Sequence, residues 1–274
     1  HLGIPFVELD LSAEYKQGVA DYMISEYARG RTPNPDVMCN REVKFGGFLD
    51  WALDRGADIA TGHYAQNIGN QLVKGNDSSK DQSYFLWTLT QQQLKHALFP
   101  IGHLPKSDVR KLAKKYNLPT AVKKDSQGIC FIGMVDMKEF LKHYIEVIPG
   151  DVLHADGRVI GHHEGAVLYT LGERHGFTIT EKTSDRLPYY IISKDTKKNN
   201  LVVSHTVKTN SQKSSIQVIT LRNPNWLTFR TGACSAQIRY HGEFLSAVIV
   251  DEVTIELTYN GPISLGQSIV FYDG

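Results

Sequence analysis

Two hydrophobic periodicities divide this chain, and their order limits the fold more than any other feature of the sequence. Through the first half, stretches with helical spacing alternate with short apolar runs. Residues 4–9 read as a strand. Behind it Tyr15, Val19, Tyr22, Met23 and Tyr27 fall on one helical face, with Ser12 as N-cap and Gly30 as C-cap. The two prolines of Arg31-Thr32-Pro33-Asn34-Pro35-Asp36 keep that segment out of a helix. Phe45, Phe48, Leu49, Ala52 and Leu53 then give a second amphipathic stripe. Gly46 and Gly47 interrupt it, which points to close approach of another backbone. Residues 57–61 read as a strand ending at Gly62-His63, and Gly69-Asn70 as a hairpin turn. Helices are expected over 91–97 and 107–116, the second burying Val109, Leu112, Ala113 and Tyr116. Strand–helix alternation of this kind implies an α/β unit around a mostly parallel sheet.

Beyond about residue 134 the pattern changes. A helix over 140–148 is followed by turns and short strands to about residue 205, with the turn-rich stretch 194–200 as a linker. From residue 206 only strand patterns remain, at 215–219, 234–240, 245–250 and 253–257, which pack naturally as a small antiparallel barrel or sandwich. The expected domains are therefore 1–133 (α/β, catalytic), 134–205 (central, α+β) and 206–274 (C-terminal β-barrel). With 41% hydrophobic and 22% charged residues, the composition excludes a fibrous or largely disordered chain. No run approaches the roughly 18 apolar residues of a membrane helix. Three scattered cysteines suit an intracellular, reducing compartment and no disulfide framework. The first residue is His rather than Met, and the expectation is a piece of a longer protein.

Thirty basic against 29 acidic residues give a net charge of +1, which alone suggests no nucleic-acid partner. The local distribution differs: Lys106 to Lys124 holds seven basic residues and one acid, Asp108. A solvated helix face and a phosphate-backbone footprint both fit that run. Cys39 lies just after the Pro-rich loop, three residues beyond Asp36. It reads either as a thiol activated at a helix N-terminus beside a proton-handling carboxylate, or as a small core residue with a capping aspartate. Cys130, bracketed by Gly128 and Gly133 and near Lys123 and Lys124, reads either as a loop thiolate suited to nucleophilic or sulfur-transfer chemistry, or as a buried cysteine. Cys234 lies in a strand pattern and reads as core. No Cys-x-x-Cys or His-x-x-x-His spacing supports a metal site. Gly62-His63-Tyr64 falls at the carboxyl edge of the expected sheet, where α/β folds bind ligands. Arg239-Tyr240-His241 combines groups that stack on bases or grip phosphate.

Taken as an ordered set, these segments resemble the tRNA-specific 2-thiouridylases, the MnmA/TrmU family. The matching motifs are Gly30-Arg31-Thr32-Pro33-Asn34-Pro35-Asp36 with Cys39-Asn40, Ala60-Thr61-Gly62-His63-Tyr64, Lys80-Asp81-Gln82-Ser83-Tyr84-Phe85-Leu86, Gly128-Ile129-Cys130-Phe131-Ile132-Gly133, Tyr169-Thr170-Leu171-Gly172-Glu173-Arg174 and Gly266-Gln267-Ser268. The resemblance implies a HUP-like PP-loop ATPase domain acting in the cytoplasm of a bacterium or in a mitochondrion. ATP, with Mg2+, would adenylate O2 of the wobble uridine in tRNAs of the Lys, Glu and Gln type. Cys130 would carry a persulfide delivered by a sulfur-relay protein or cysteine desulfurase, and Cys39 would resolve it as a disulfide. Asp36 would serve as acid/base beside the target base, and Gly62 would contact ATP. Asn34, Pro35, Asp36, His63, Lys80, Asp81, Gln82, Arg239, Tyr240 and Gln267 would contact tRNA. The family's Ser-Gly-Gly-x-Asp-Ser loop, which cradles the ATP phosphates, has no counterpart in these residues, nor does its last Gly-rich strand. The expectation is that these 274 residues alone do not adenylate uridine. The rival readings are a tRNA-binding fragment without catalysis and a related ATP-dependent tRNA-modifying enzyme.

Overall fold

Helical backbone begins at Ser12 in the computed structural model, which describes residues 2–123, 136–181, 187–206 and 215–273. The chain divides into two compact units. The first holds His1–Asp21, Pro35–Met134 and Asn225–Phe229; the second holds Tyr22–Asn34, Val135–Pro224 and Arg230–Gly274.

In the first unit, residues 4–9 do not form the expected strand: Ile4, Phe6 and Val7 are 71%, 89% and 62% exposed. Apolar alternation without a partner strand to take its N–H and C=O groups is insufficient to hold a strand. Ser12 is the first helical residue rather than the cap. Leu11 holds the cap position and supplies no side-chain cap, while Asp10 just before it accepts the Ser12 N–H on Oδ1 at 2.9 Å. The helix passes through a π-helical stretch, Lys16–Asp21, that buries Val19. A second helical segment starts earlier than expected, at Pro35, because proline tolerates the first helical position, where its missing N–H has no intrahelical partner anyway. It runs Pro35–Cys39, then π-helical Asn40–Gly47, then Phe48–Leu53. Gly46 departs from helical geometry, and a Cβ there would sit 2.9 Å from the Arg41 carbonyl of its own helix. At Gly47 the close neighbours are the Leu11 and Glu14 side chains, not a second backbone.

Strands β1 (Ile59–Ala60), β2 (Ala65–Ile68), β3 (Gln71–Lys74) and β4 (Ala97–Leu98) complete this unit. β1 and β4 pair in parallel. β2 and β3 form the expected hairpin, with Gly69 and Asn70 both at positive φ as a two-residue type I′ turn requires. Two glycines permit the backbone crossings here. A Cβ at Gly102 would lie 1.6 Å from the Ala65 carbonyl oxygen, and one at Gly75 would lie 2.5 Å from that of Tyr64. The helix expected over 91–97 is shorter, Gln91–Leu94, opened by a Thr90/Gln93 capping box, and Ala97 belongs to β4. Phe45, Leu49, Ala52, Ile59, Leu86, Leu89, Leu94 and Phe99 make the core. The Lys106–Lys115 helix buries none of its residues; Leu112 and Tyr116 are 38% and 64% exposed. Val109 and Ala113 are half-buried, so the described residues cover the apolar side expected to be buried only in part.

The second unit begins with the Tyr22–Ala28 helix, which buries Met23 and Tyr27. Gly30 ends it as expected, at φ +71°. The Gly30 N–H donates to the Tyr27 carbonyl at 2.8 Å and the Arg31 N–H to that of Glu26 at 2.9 Å, the pairing of a Schellman motif. The next helix, Met137–Lys142, is capped by the Asp136 carboxylate on the Lys138 and Glu139 N–H groups. A five-stranded sheet follows, made of β5 (Gly150–His154), β6 (Val159–His163), β7 (Thr178–Ile179), β8 (Tyr190–Asp195) and β9 (Asn200–Ser204), in the order β7-β6-β5-β9-β8. Only β5 and β9 run parallel. The stretch 194–200 is therefore no linker but the β8–β9 hairpin, with the Asp195 carboxylate accepting the Lys197 and Lys198 N–H groups.

The remaining strands are β10 (Ile216–Thr220), β11 (Gly232–Gln237), β12 (Leu245–Ile249), β13 (Thr254–Thr258) and β14 (Val270–Tyr272). They form an antiparallel sheet ordered β10-β13-β12-β11-β14. β10, β12 and β13 lie within one residue of the expected strands, β11 starts two residues before and ends three residues before the expected 234–240, and β14 is not among the expected strands. Among the described residues no pairing closes β10 onto β14. Ala236, Leu245, Ala247 and Leu257 are buried on its inner face, and Cys234 packs against them. Cys234 is only partly buried at the margin of that cluster rather than in the core, and burial raises its thiol above the usual range.

Candidate functional site

Three of the motif segments meet in the first unit. Cys39 is fully buried, at the end of the Pro35–Cys39 helix and four residues inside it. It is therefore not the N-terminal thiol that the position after a Pro-rich loop suggested; Asp36 occupies the first turn instead. Asn40, 2% exposed, donates through Nδ2 to the Phe85 carbonyl at 3.0 Å. That bond ties the cysteine segment to Lys80–Leu86. Gln82 in turn clamps Tyr64: the Tyr64 N–H donates to Gln82 Oε1 at 3.0 Å, and the Gln82 N–H to the Tyr64 carbonyl at 2.8 Å.

The side chains of these segments divide between framework and open positions. Asp81 accepts the N–H groups of Gly75 and Ser83 at 2.8 and 3.1 Å and the Ser83 hydroxyl at 2.9 Å. Its carboxylate thus organises the 3₁₀ turn Ser83–Leu86. His63 is 8% exposed, with its ring 5.8 Å from Phe45 and 6.1 Å from Phe99. Burial, with help from the nearby Lys44 charge, pushes its pKa down to about 3, so the imidazole is neutral. Its Nδ1 bonds the Thr61 hydroxyl at 2.8 Å. Gly62 is exposed, and a Cβ there would approach nothing nearer than Ile101 at 4.0 Å. The end of β1 is thus open to a ligand against the backbone. Cys130 lies outside the described residues.

In the second unit a different group converges on Thr32, a residue to which local sequence assigned no role. Its carbonyl accepts Gln267 Nε2 at 2.7 Å, its N–H donates to the Leu265 carbonyl at 2.9 Å, and its hydroxyl accepts from Thr170 at 3.1 Å. Gly266 makes this approach feasible: at φ +93° a Cβ would meet the Thr32 N and the Arg31 Cβ at 3.0 Å. Arg31 forks onto the buried Glu26 carboxylate at 2.6 and 2.5 Å. The segment leading to Asn34 is thereby fixed on both sides. Positions 32, 170 and 267 are too far apart in the chain for any spacing argument to join them.

The Thr170 loop is held by Glu173, which accepts the Thr170 N–H at 3.0 Å and Lys138 Nζ at 2.7 Å. Lys138 also lies 3.8 Å above the Tyr169 ring. Lys194 donates to the Tyr169 carbonyl at 2.6 Å, and burial lowers its pKa to about 8 against the opposing pull of Glu173. Arg239 is exposed, its guanidinium 4.0 Å from where a Gly172 Cβ would stand. Tyr240 and His241 stack with centroids 3.9 Å apart, His241 taking φ +55° in a turn closed by the Gly242 N–H on the Arg239 carbonyl. This presents a cation and an aromatic pair on one exposed turn.

Comparison with known proteins agrees with this arrangement. Residues 1–134 match the family model described as a tRNA methyl transferase HUP domain, and residues 138–205 the one described as a tRNA methyl transferase PRC-barrel domain. A Streptococcus pyogenes protein named tRNA-specific 2-thiouridylase MnmA is 42% identical over 289 aligned residues, covering 100% of this chain and 77% of its own length. Proteins of the same name from Stenotrophomonas maltophilia and Akkermansia muciniphila are 45% and 41% identical, covering 100% and 99% of this chain and 76% and 79% of their own lengths. With identity of this order along its whole length, and the motifs gathered as described, the chain belongs to the tRNA-specific 2-thiouridylase family.

Proposed function

We propose that this chain is the larger part of a tRNA-uridine 2-sulfurtransferase. The observation that carries the reading is the joining of Cys39-Asn40, Gly62-His63-Tyr64 and Lys80–Leu86 by Asn40 and Gln82. A thiol, a carboxylate and an open glycine edge thereby share one framework. The exposed Gly62 backbone would hold ATP, which would supply the adenylyl group that turns uridine O2 into a leaving group. Asp36, in the first turn of its helix, handles the proton at the target base, with Asn34 and Pro35 beside it. The terminal sulfur of a Cys130 persulfide attacks C2 and displaces AMP. Cys39 then attacks Cys130 Sγ, forming a disulfide that a cellular thiol reduces, and frees the thiolated base. Lys80, Arg239, Tyr240 and Gln267 face the tRNA. The buried His63 and the tied Asp81 and Gln82 act on it through the backbone they position. No helix among the described residues is long and apolar enough to cross a membrane.

The test is tRNA thiolation, read as a mobility shift on a mercury-containing gel, in the complete protein carrying Cys130→Ser or Cys39→Ser. Both variants are expected to abolish thiolation while tRNA binding persists. Thiolation at the normal level by Cys130→Ser refutes the assignment.

A further inference from the structure

The Lys106–Lys115 helix carries charge that the reading above does not use. With 3.6 residues per turn, Lys106, Arg110, Lys111, Lys114 and Lys115 occupy one half of its circumference, and Val109, Leu112 and Ala113 the other. Two of the cations have local duties. Arg110 Nη1 donates to the Thr120 and Ala121 carbonyls at 3.1 and 2.9 Å, and Lys106 Nζ lies 4.9 Å from the Tyr64 ring centroid. Lys111, Lys114 and Lys115 are exposed. Asp108 reaches Lys111 at 2.8 Å, but the Lys111 side chain remains 77% exposed, so this pair is worth little in water. From Lys106 to Lys123 there are six basic residues against that one acid.

The position of the helix gives this charge a direction. Its first N–H, that of Lys106, donates to Asp77 Oδ2 at 3.0 Å. The Asp77 carbonyl accepts the Lys80 N–H at 2.9 Å, and Asn76 bonds Gly102 and His103 in the loop before the helix. The N-terminus of the basic helix is therefore bonded to the Asp77–Gln82 segment, which carries Lys80. We propose that Lys111, Lys114 and Lys115 form a phosphate-backbone contact that extends the tRNA-binding surface beyond Lys80. This rests on the tRNA reading and adds to it a sequence-independent grip, since lysines meeting phosphates position a nucleic acid without reading its bases.

The experiment is a fluorescence-anisotropy titration of a labelled wobble-uridine tRNA transcript, between 50 and 200 mM salt. The full chain is compared with its Lys111→Gln/Lys114→Gln/Lys115→Gln variant, and far-UV circular dichroism confirms that the helix persists. The variant is expected to bind at least about tenfold more weakly at 100 mM salt, with a log Kd–log salt slope shallower by about 2–3, the share of three phosphate contacts. Asp108→Asn, which frees Lys111, is expected to tighten binding. Equal affinity and slope for the triple variant, with normal binding by the unsubstituted chain, overturn the proposed contact and leave the tRNA reading standing. Failure of the unsubstituted chain to bind tRNA overturns both.

Discussion

Mild acid is expected to weaken the first unit through a single imidazole. His63 has an ordinary pKa of 6.5 and is pushed down to about 3 in the folded chain, by burial first and by Lys44 second. The unfolded chain therefore takes up a proton at this position below pH 6.5, which the folded chain refuses until about pH 3. Stability is complete above 6.5 and is lost as the pH falls, at about 1.4 kcal/mol per pH unit. That amounts to about 2 kcal/mol at pH 5. The assay is urea denaturation followed by tryptophan fluorescence. Trp51, Trp87 and Trp226 are the chain's three tryptophans and all belong to this unit. The partner measurement is the same series on His63→Gln, which has no titrating group at this position. Its stability is expected to be lower at pH 7.5 but to fall less steeply between 6.5 and 5, by about one proton's worth of slope. The comparison cancels every other group, and the carboxylates of Asp10 and Asp77, held below their usual range by Ser12 and Ser79, act at lower pH. Parallel curves for the two proteins would refute the buried, neutral His63.

Two further outcomes concern the second unit and are read by urea denaturation with circular dichroism. Arg31→Leu strips the buried Glu26 carboxylate of its forked partner and is expected to cost about 3 kcal/mol; adding Glu26→Leu to it should recover much of that loss. Gly266→Ala puts a Cβ 3.0 Å from the Thr32 backbone at φ +93° and is expected to cost about 1–3 kcal/mol.

What the sequence made legible followed from local periodicity and turn chemistry. The Gly69-Asn70 hairpin, the Gly30 helix end and the four C-terminal strands depend on neighbouring residues alone, and all are present. The failures share a cause, since each depended on what the segment packs against. Residues 4–9 alternate like a strand but have no partner among the described residues; residues 194–200 look like a linker but join two paired strands. Val109, Leu112, Ala113 and Tyr116 make an apolar face that the described residues cover only in part. The motifs were legible as segments, whereas their joining was not. The Asn40–Phe85 bond spans 45 positions and the Gln267–Thr32 bond spans 235. Burial decided the roles of His63 and Asp81, and the composition of a short motif does not report burial.

The clasp on Thr32 has a consequence for the timing of motion. The Thr32 amide proton is held by the Leu265 carbonyl, next to Gly266 and Gln267. Its exchange with solvent therefore requires residues 265–267 to lift away, and that single amide acts as a clock for the opening. Asn34 lies two residues further on, so an event that loosens the 265–267 loop also loosens the hold on the segment that ends at Asn34. Slow exchange at Thr32 would mark a segment preset before substrate arrives, and fast exchange one that becomes ordered only as the substrate binds.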